Sequence, residues 1–133
     1  MKTLKGLKLS TDRTCTKLEI PDGPNKLDVL QEQVGGYIEI PHIVPQFDEL
    51  GIDMVINDEG KLLGLEPTLA ILKGSQVVEV ICGPILFVSH NEEGDTVSLN
   101  ANQTKYLMST VFNSQVVGLE IGGELKITKF VQL

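Results

Sequence analysis

The chain has few of the residues on which metal sites and disulfide scaffolds depend. Its 133 residues include no tryptophan, two cysteines, two histidines and one arginine, and only 5% of them are aromatic. Cys15 and Cys82 lie far apart in the sequence and match neither a zinc-ligand spacing nor a disulfide framework. We therefore expect an aliphatic core, with no bound metal and no cofactor.

Clustered positive charge and long apolar runs are also missing. Eighteen acidic residues against eleven basic ones give a formal net charge of −7, and the lysines are scattered. Binding to nucleic acid through its phosphates requires a clustered basic surface, so no nucleic-acid partner is predicted. No stretch approaches the roughly 20 apolar residues of a membrane span, and the start of the chain does not resemble a signal peptide. These features predict a protein of the reducing cytoplasm with no membrane partner.

What the chain does contain is enough apolar residues, 41%, for one hydrophobic core. At this length we expect a single domain over residues 1–133. Alternation of apolar and polar residues predicts an N-terminal β-hairpin from Leu4–Leu9 and Cys15–Ile20. Apolar residues spaced by three and four then predict a helix that ends at Val34, with the side chain of Asn25 as its N-cap.

The middle of the chain predicts mostly strands. A strand is expected directly after Gly35 and Gly36, one of which closes the preceding helix. Residues 41–51 contain two prolines and are expected to be irregular. Residues 53–57 and 61–65 are two apolar runs on either side of a short loop that ends in glycine, which predicts a second hairpin.

Two further segments complete this middle region. Residues 69–73 are expected to form one helical turn. The very apolar stretch 77–88 is interrupted by Gly83 and Pro84, and it predicts either one bulged strand or two short strands buried on both faces.

The C-terminal third predicts one helix and one hairpin. Asn100 and Gln103 have the spacing of a capping box at the start of a helix. Residues 116–121 and 125–131 alternate around Gly122 and Gly123, which suit a tight primed turn. The expected fold class is α+β: a mainly antiparallel twisted sheet of seven or eight strands with two helices packed on one face.

Four blocks of sequence together resemble a known family. Residues 30–39 (Leu-Gln-x-x-Val-Gly-Gly-Tyr-Ile-Glu) resemble the signature of an uncharacterised domain found in phages and mobile elements. Residues 57–65 look like the Asn-x-Glu-Gly-Lys hairpin of that family, residues 80–86 like its buried strand, and residues 93–107 like its closing segment and final helix. The resemblance covers residues 18–110.

The resemblance implies a phage or mobile-element protein, and this chain differs from the family pattern at one place. Residues 111–133 are expected to be a C-terminal hairpin extension beyond the family-like core, either an oligomerisation arm or an extra edge of the sheet. Family members commonly carry Asn-Arg-Ala where this chain has Thr68-Leu69-Ala70. Small phage proteins often counter host defence, so the resemblance favours a counter-defence role.

The candidate binding residues surround the strand after the glycine pair. Glycines allow a ligand to approach the backbone closely, and the ring of a tyrosine can stack on a base. A lysine or threonine near the loop can contact an anion. The alternative is that these residues are a helix cap, a tyrosine at the edge of the core (a core-edge tyrosine) and ordinary surface side chains. The candidate ligand-binding set is Gly35, Gly36, Tyr37, Glu39, Asn57, Lys61 and Thr68.

Catalytic chemistry finds little support in the sequence. Glu39, Glu59 and Glu66 offer paired carboxylates if they converge, although exposed strand glutamates are the simpler reading. His42 and His90 stand in turn-like surroundings without a nucleophile motif. No catalytic residue is nominated, and an enzyme is the less favoured class.

The sequence leaves two main functional hypotheses. The first is a non-enzymatic phage or mobile-element protein that sequesters a small nucleotide-type signal as a homo-oligomer. The second is an acidic protein-interaction inhibitor of a host protein, which would use its acidic surface or the edge of its C-terminal hairpin. A small hydrolase that uses Glu39 or His42 is a third and weaker hypothesis.

Overall fold

The computed structural model describes residues 2–113 and 115–133 and shows an α+β fold. Within these residues there are three helices and ten strands. In chain order they are β1 Thr3–Leu9, β2 Cys15–Pro21, α1 Lys26–Val34, β3 Ile38–Glu39, α2 Pro45–Leu50, β4 Ile52–Asn57, β5 Pro67–Lys73, β6 Gln76–Cys82, β7 Ile85–His90, β8 Thr96–Val97, α3 Ala101–Thr110, β9 Val117–Ile121 and β10 Glu124–Gln132.

The strands form two sheets instead of one. The first sheet has the order β2-β1-β7-β4-β3, with β8 added beside β7, and the second has the order β6-β5-β10-β9. Among the described strands, β5 and β10 are the one parallel pair, and every other pair is antiparallel. The expectation of a mainly antiparallel α+β fold is confirmed, but the number of strands and sheets was underestimated.

Two apolar clusters lie on opposite faces of the first sheet. On one face, Leu30 and Val34 of α1 pack against β1, β2, β4 and β7. On the other face, Phe47 of α2 and Leu107 of α3 join the inner side chains of the second sheet in the larger core. The prediction that the helices share one face is wrong, because the first sheet is apolar on both faces and each face needs a cover.

Elements defined by short-range signals form as predicted. The N-terminal hairpin pairs along all seven residues of each strand. Gly122 and Gly123 adopt φ of 60° and 83° between β9 and β10, as a primed turn requires. The capping box of Asn100 and Gln103 is complete. Residues 77–88 contain two strands, which belong to different sheets. Burial on both faces is confirmed for β7 but is wrong for β6, an edge strand in which Val77 and Val78 are exposed.

Three local predictions are wrong. Residues 61–64 form turns instead of a strand, and Leu62 there is 85% exposed. Residues 69–73 belong to strand β5, because this segment pairs with β6 on one side and β10 on the other and buries Leu69, Ala70 and Ile71. The segment expected to be irregular contains α2, which has proline at its start and Gly51 in the left-handed conformation at its end.

The ends of α1 show one success and one failure. Gly35 closes this helix with φ of 79°, and its N–H donates to the carbonyls of Gln31 and Glu32. Asn25 stands at the N-cap position, but its side chain accepts no capping hydrogen bond from the described residues. Across the described part of the chain, none of the helices has the length and apolar character to cross a membrane.

Candidate functional site

An open cleft of about 410 Å³ lies where β3 and β4 of the first sheet approach β6 of the second. Glu39, Asn57 and Lys61, three of the predicted binding residues, line it. The loop that connects β4 to β5 forms one wall through residues 58–62. Apolar side chains complete the lining: Pro41, Ile43, Ile56, Leu62, Val80 and Ile81.

Asn57 holds the cleft together. It is 3% exposed, its Nδ2 donates to the carbonyl of Val34 over 3.1 Å, and its Oδ1 accepts from the N–H of Glu59 over 2.8 Å. One amide thus ties the end of α1 to the loop after β4. Because both ends of the amide are used within the protein, Asn57 shapes the cleft instead of offering a free group to a ligand.

The glycine pair before β3 leaves space for the buried side chain of Asn57. A Cβ on Gly36 would lie 2.9 Å from Nδ2 of Asn57, so glycine leaves room for the buried amide. Gly35, Gly36 and Tyr37 all lie outside the lining of the cleft. Tyr37 is 71% exposed, which contradicts the alternative of a core-edge tyrosine.

Thr68 and Glu66 do not join the cleft. Thr68 is fully buried, and its hydroxyl donates to the carbonyl of Gly83 over 2.7 Å, with the carbonyl of Ile81 3.1 Å away. The expectation that it is a surface residue is wrong, because β5 is an inner strand of its sheet. Glu66 pairs with Lys126 over 3.3 Å and does not line the cleft, whereas Glu39 and Glu59 do. The structure thus brings together two of the three glutamates considered for acid–base chemistry.

The cleft is strongly acidic. Four carboxylates line it, those of Glu39, Asp58, Glu59 and Glu79, against the single cation Lys61. Lys61 forms an ion pair with Glu79, which lowers the pKa of that carboxyl below its ordinary value. The same carboxylate accepts the N–H of Val80, a group on the open edge of the second sheet. A ligand therefore meets net negative charge and no unpaired lysine inside the cleft.

Cys82 also lines the cleft. It is half-buried, and burial raises the pKa of its thiol. Loss of contact with water disfavours the thiolate, so the sulfur is present as the weakly nucleophilic thiol. Its proximity to the loop depends on Gly60, where a Cβ would lie 2.3 Å from the carbonyl oxygen of Cys82.

The two histidines make separate pairs outside this cleft. Nδ1 of His42 lies 2.9 Å from Asp48, and this hydrogen bond raises the pKa of the exposed imidazole. Nδ1 of His90 lies 3.0 Å from the buried Asp53. Ser89, next to His90 in sequence, donates to the carbonyl of Gly51 instead. Within residues 2–113 and 115–133, no group of three or more His, Cys, Asp or Glu converges as metal ligands would.

Comparison with known proteins places the chain in a family. Residues 4–112 match a Domain of unknown function (DUF3846). The match begins before residue 18, where the resemblance of the four sequence blocks starts. It ends just before β9, so the C-terminal hairpin lies beyond the matched residues. No curated protein and no solved structure matches the chain significantly.

Proposed function

Because the chain belongs to this family of unknown function, we propose that it is a non-enzymatic binding module of a phage or mobile element. Its proposed role is counter-defence: it sequesters a small nucleotide-type signal, and its cleft grips the nucleoside end of that molecule. The observation that carries this proposal is the cleft itself, which joins the predicted Glu39, Asn57 and Lys61 in one concave surface of about 410 Å³.

The chemistry of the lining decides which end of a nucleotide fits. Carboxylates are hydrogen-bond acceptors only, and they suit the hydroxyls of a ribose and the amino groups of a base. Apolar side chains such as Ile43, Ile56 and Leu62 offer a wall for a flat ring. A volume of this size lies within the range of about 300–1,000 Å³ that is usual for small-molecule sites.

Charge excludes the phosphates from the same place. A phosphate inside the cleft would face four carboxylates, and the one lysine there is already paired with Glu79. Like charges within a few ångströms repel strongly where water is partly excluded. The phosphates of a bound nucleotide therefore project from the cleft toward solvent.

The test is recovery of bound small molecules. The protein is incubated with a nucleotide-rich bacterial extract, separated and heated, and the released molecules are identified by mass spectrometry. We expect an intact nucleotide from the wild type and much less from Glu59→Gln and Glu39→Gln. Glu92→Gln, an exposed change in the turn before β8, is the matched control and should behave as the wild type.

Three outcomes contradict this proposal. A wild-type protein that releases no nucleotide would overturn it, and so would equal release from Glu59→Gln and from the control. A chemically altered nucleotide left in the extract would point to an enzyme. The variant Tyr37→Ala tests whether the ring of Tyr37 stacks on the ligand or supports the fold. Because Tyr37 is exposed, its replacement should leave the unfolding curve unchanged.

The proposed oligomer has a suitable edge in β9. The other edges among the described strands are protected. β2 carries Lys17, Glu19 and Pro21, and β3 and β8 have only two residues each. β6 has an irregular register, and the carboxylate of Glu79 accepts the N–H of Val80. β9 has the sequence Val-Gly-Leu-Glu-Ile, with a regular register to β10. Natural edge strands usually carry such protection when they remain unpaired.

The sequence of β9 is also self-complementary. If two copies pair antiparallel about Leu119, Val117 lies opposite Ile121 of the other copy, and Glu120 lies opposite Gly118. Apolar cross-strand pairs stabilise such a ladder, and no like charges are placed opposite each other. Native mass spectrometry should show a dimer, and Leu119→Lys should yield monomers; a wild-type monomer would refute this interface.

The second candidate function is inhibition of a host protein through the same edge. It is favoured by the exposed apolar side chains of the C-terminal hairpin, such as Leu125, which is 75% exposed. This reading predicts a monomer that captures one defined host protein, and capture should be lost in Leu119→Lys. Deletion of residues 116–133 is a poor test, because it also removes the buried Val131 and the strand paired with β5.

A further inference from the structure

A second groove, of about 540 Å³, lies between the β1–β2 hairpin and the start of α3. We infer that this groove binds the phosphate of a small phosphorylated molecule that has an apolar or aromatic body. Three of the ten lysines of the chain meet there: Lys5 from β1, Lys17 from β2 and Lys105 from α3. These residues are separated by up to 100 positions in the chain, so their convergence is a product of the fold.

The register of the hairpin explains how the lysines come together. Lys5 alternates with Leu7 and Leu9, which face the larger core, so Lys5 extends from the same face of β1. Lys17 lies opposite Leu7 in the antiparallel pair and shares that face. Helix α3 closes the groove from the side with Thr104 and Lys105.

The ammonium groups of the groove are available to a ligand. Lys26, Lys61 and Lys126 form ion pairs with carboxylates, and Lys8 and Lys129 donate to oxygens of the protein. In the part of the chain that the structure describes, Lys5, Lys17 and Lys105 have no carboxylate within 4.0 Å of the lysine nitrogen and no side-chain hydrogen bond. Three unpaired lysines therefore line one concavity of a chain with a net charge of −7.

The balance of charge in the groove is positive. One carboxylate, that of Glu19, lines it beside the three lysines, so the side chains sum to +2. The groove also includes Ala101, the first residue of α3, where the positive end of the helix dipole adds to the lysines. An anion is therefore attracted here and repelled from the acidic cleft.

The body of the ligand is indicated by the remaining lining. Leu7 is buried and Leu99 is half-buried, so these two side chains make part of the floor of the groove apolar. Apolar surface combined with a few charged groups is typical of sites for small organic ligands, and the volume falls in their usual range. Inorganic phosphate alone would leave most of this floor exposed to water.

The groove and the acidic cleft are separate sites. β2 and β3 are the opposite ends of the main strand path of the first sheet, four strand spacings apart, which corresponds to about 19 Å. A mononucleotide does not span both. The groove therefore does not depend on what the acidic cleft binds.

Calorimetric titration with adenosine 5′-diphosphate tests the inference, with adenosine as the uncharged probe. We expect the diphosphate to bind the wild type, and the affinity to fall by about tenfold in Lys17→Gln and again in the double variant with Lys105→Gln, since each lysine supplies a charged hydrogen bond. Lys73→Gln, an exposed change outside the groove, is the matched control and should bind as the wild type. Adenosine should bind the groove far more weakly than the diphosphate.

Each contrary result has a definite meaning. No binding of the diphosphate to the wild type at millimolar concentration overturns the inference, and so does an equal loss of affinity in Lys73→Gln. A loss of diphosphate affinity in Glu59→Gln, with the lysine variants unaffected, places the ligand in the acidic cleft and refutes the groove. Circular dichroism of each variant checks that the fold is intact, which is expected because all three lysine side chains are exposed.

Discussion

Replacement of Asn57 by alanine tests whether this side chain stabilises the structure of the cleft or is free to contact a ligand. The change removes the hydrogen bond from Nδ2 to Val34 and the bond from the N–H of Glu59 to Oδ1. Each is a bond of a nearly buried amide, worth about 1 kcal/mol, and the orphaned carbonyl of Val34 adds about another 0.5–1 kcal/mol. The expected loss in the free energy of unfolding is therefore about 2.5 kcal/mol.

The assay is urea unfolding followed by circular dichroism, supported by thermal unfolding. For a domain of this size, a loss of about 2.5 kcal/mol corresponds to a fall in Tm of roughly 10 °C. Asn57→Asp is the informative second variant: it keeps the acceptor for Glu59 but loses the donor to Val34 and places negative charge beside that carbonyl. It should also destabilise the protein.

The reasoning would be refuted by a stable variant. If Asn57→Ala costs less than about 0.5 kcal/mol, the two hydrogen bonds do not hold the loop, and Asn57 is free to contact a ligand. Asp58→Ala, an exposed change in the same loop, is the control and should lie within about 0.5 kcal/mol of the wild type.

Three further predictions follow from single contacts. Gly60→Ala places a methyl group 2.3 Å from the carbonyl oxygen of Cys82 and should destabilise the protein by about 1–3 kcal/mol in urea unfolding, whereas Gly23→Ala meets nothing within 4 Å and should be nearly neutral; equal costs would refute the clash. The hydrogen bond to Asp48 raises the pKa of His42, so NMR titration should place it above the ordinary value of about 6.5. The stabilisation from this pair is complete below the unfolded pKa and disappears as pH rises through the folded pKa, and an unchanged His42 pKa in Asp48→Asn would contradict the pairing. Burial raises the pKa of Cys82, so iodoacetamide should modify it more slowly at pH 8 than in the urea-unfolded protein; equal rates would show that the thiol is freely solvated.

Sequence reasoning succeeded for elements whose signals lie within a few residues. The turn of Gly122 and Gly123 needs positive φ at two adjacent positions, which glycine adopts easily, and both flanking strands follow from it. The capping box at Asn100 depends on a side chain and a backbone N–H three residues apart. Such features remain the same whatever the rest of the chain does.

Sequence reasoning failed where two partners compete for one apolar segment. Residues 53–57 were expected to pair with residues 61–65 nearby, but β4 pairs with β7 and β3 instead. The distant partner wins because its side chains are apolar and buried, while Leu62 and Leu63 remain exposed in the loop. The free energy gained by burying this apolar area is larger than the entropic advantage of closing the shorter loop.

The candidate sites divide in the same way. The sequence by itself indicated three of the residues that line the acidic cleft, Glu39, Asn57 and Lys61, whereas the other four candidates, Gly35, Gly36, Tyr37 and Thr68, lie outside it. Tertiary structure alone decided that Thr68 is buried, that Cys82 lines the cleft and that Lys5, Lys17 and Lys105 share one groove. The reason is that local backbone preferences act over a few bonds, whereas the meeting of distant side chains depends on which sheet arrangement buries the most apolar surface. The sequence does not reveal that arrangement, because the alternating pattern of one strand fits several partner strands equally well.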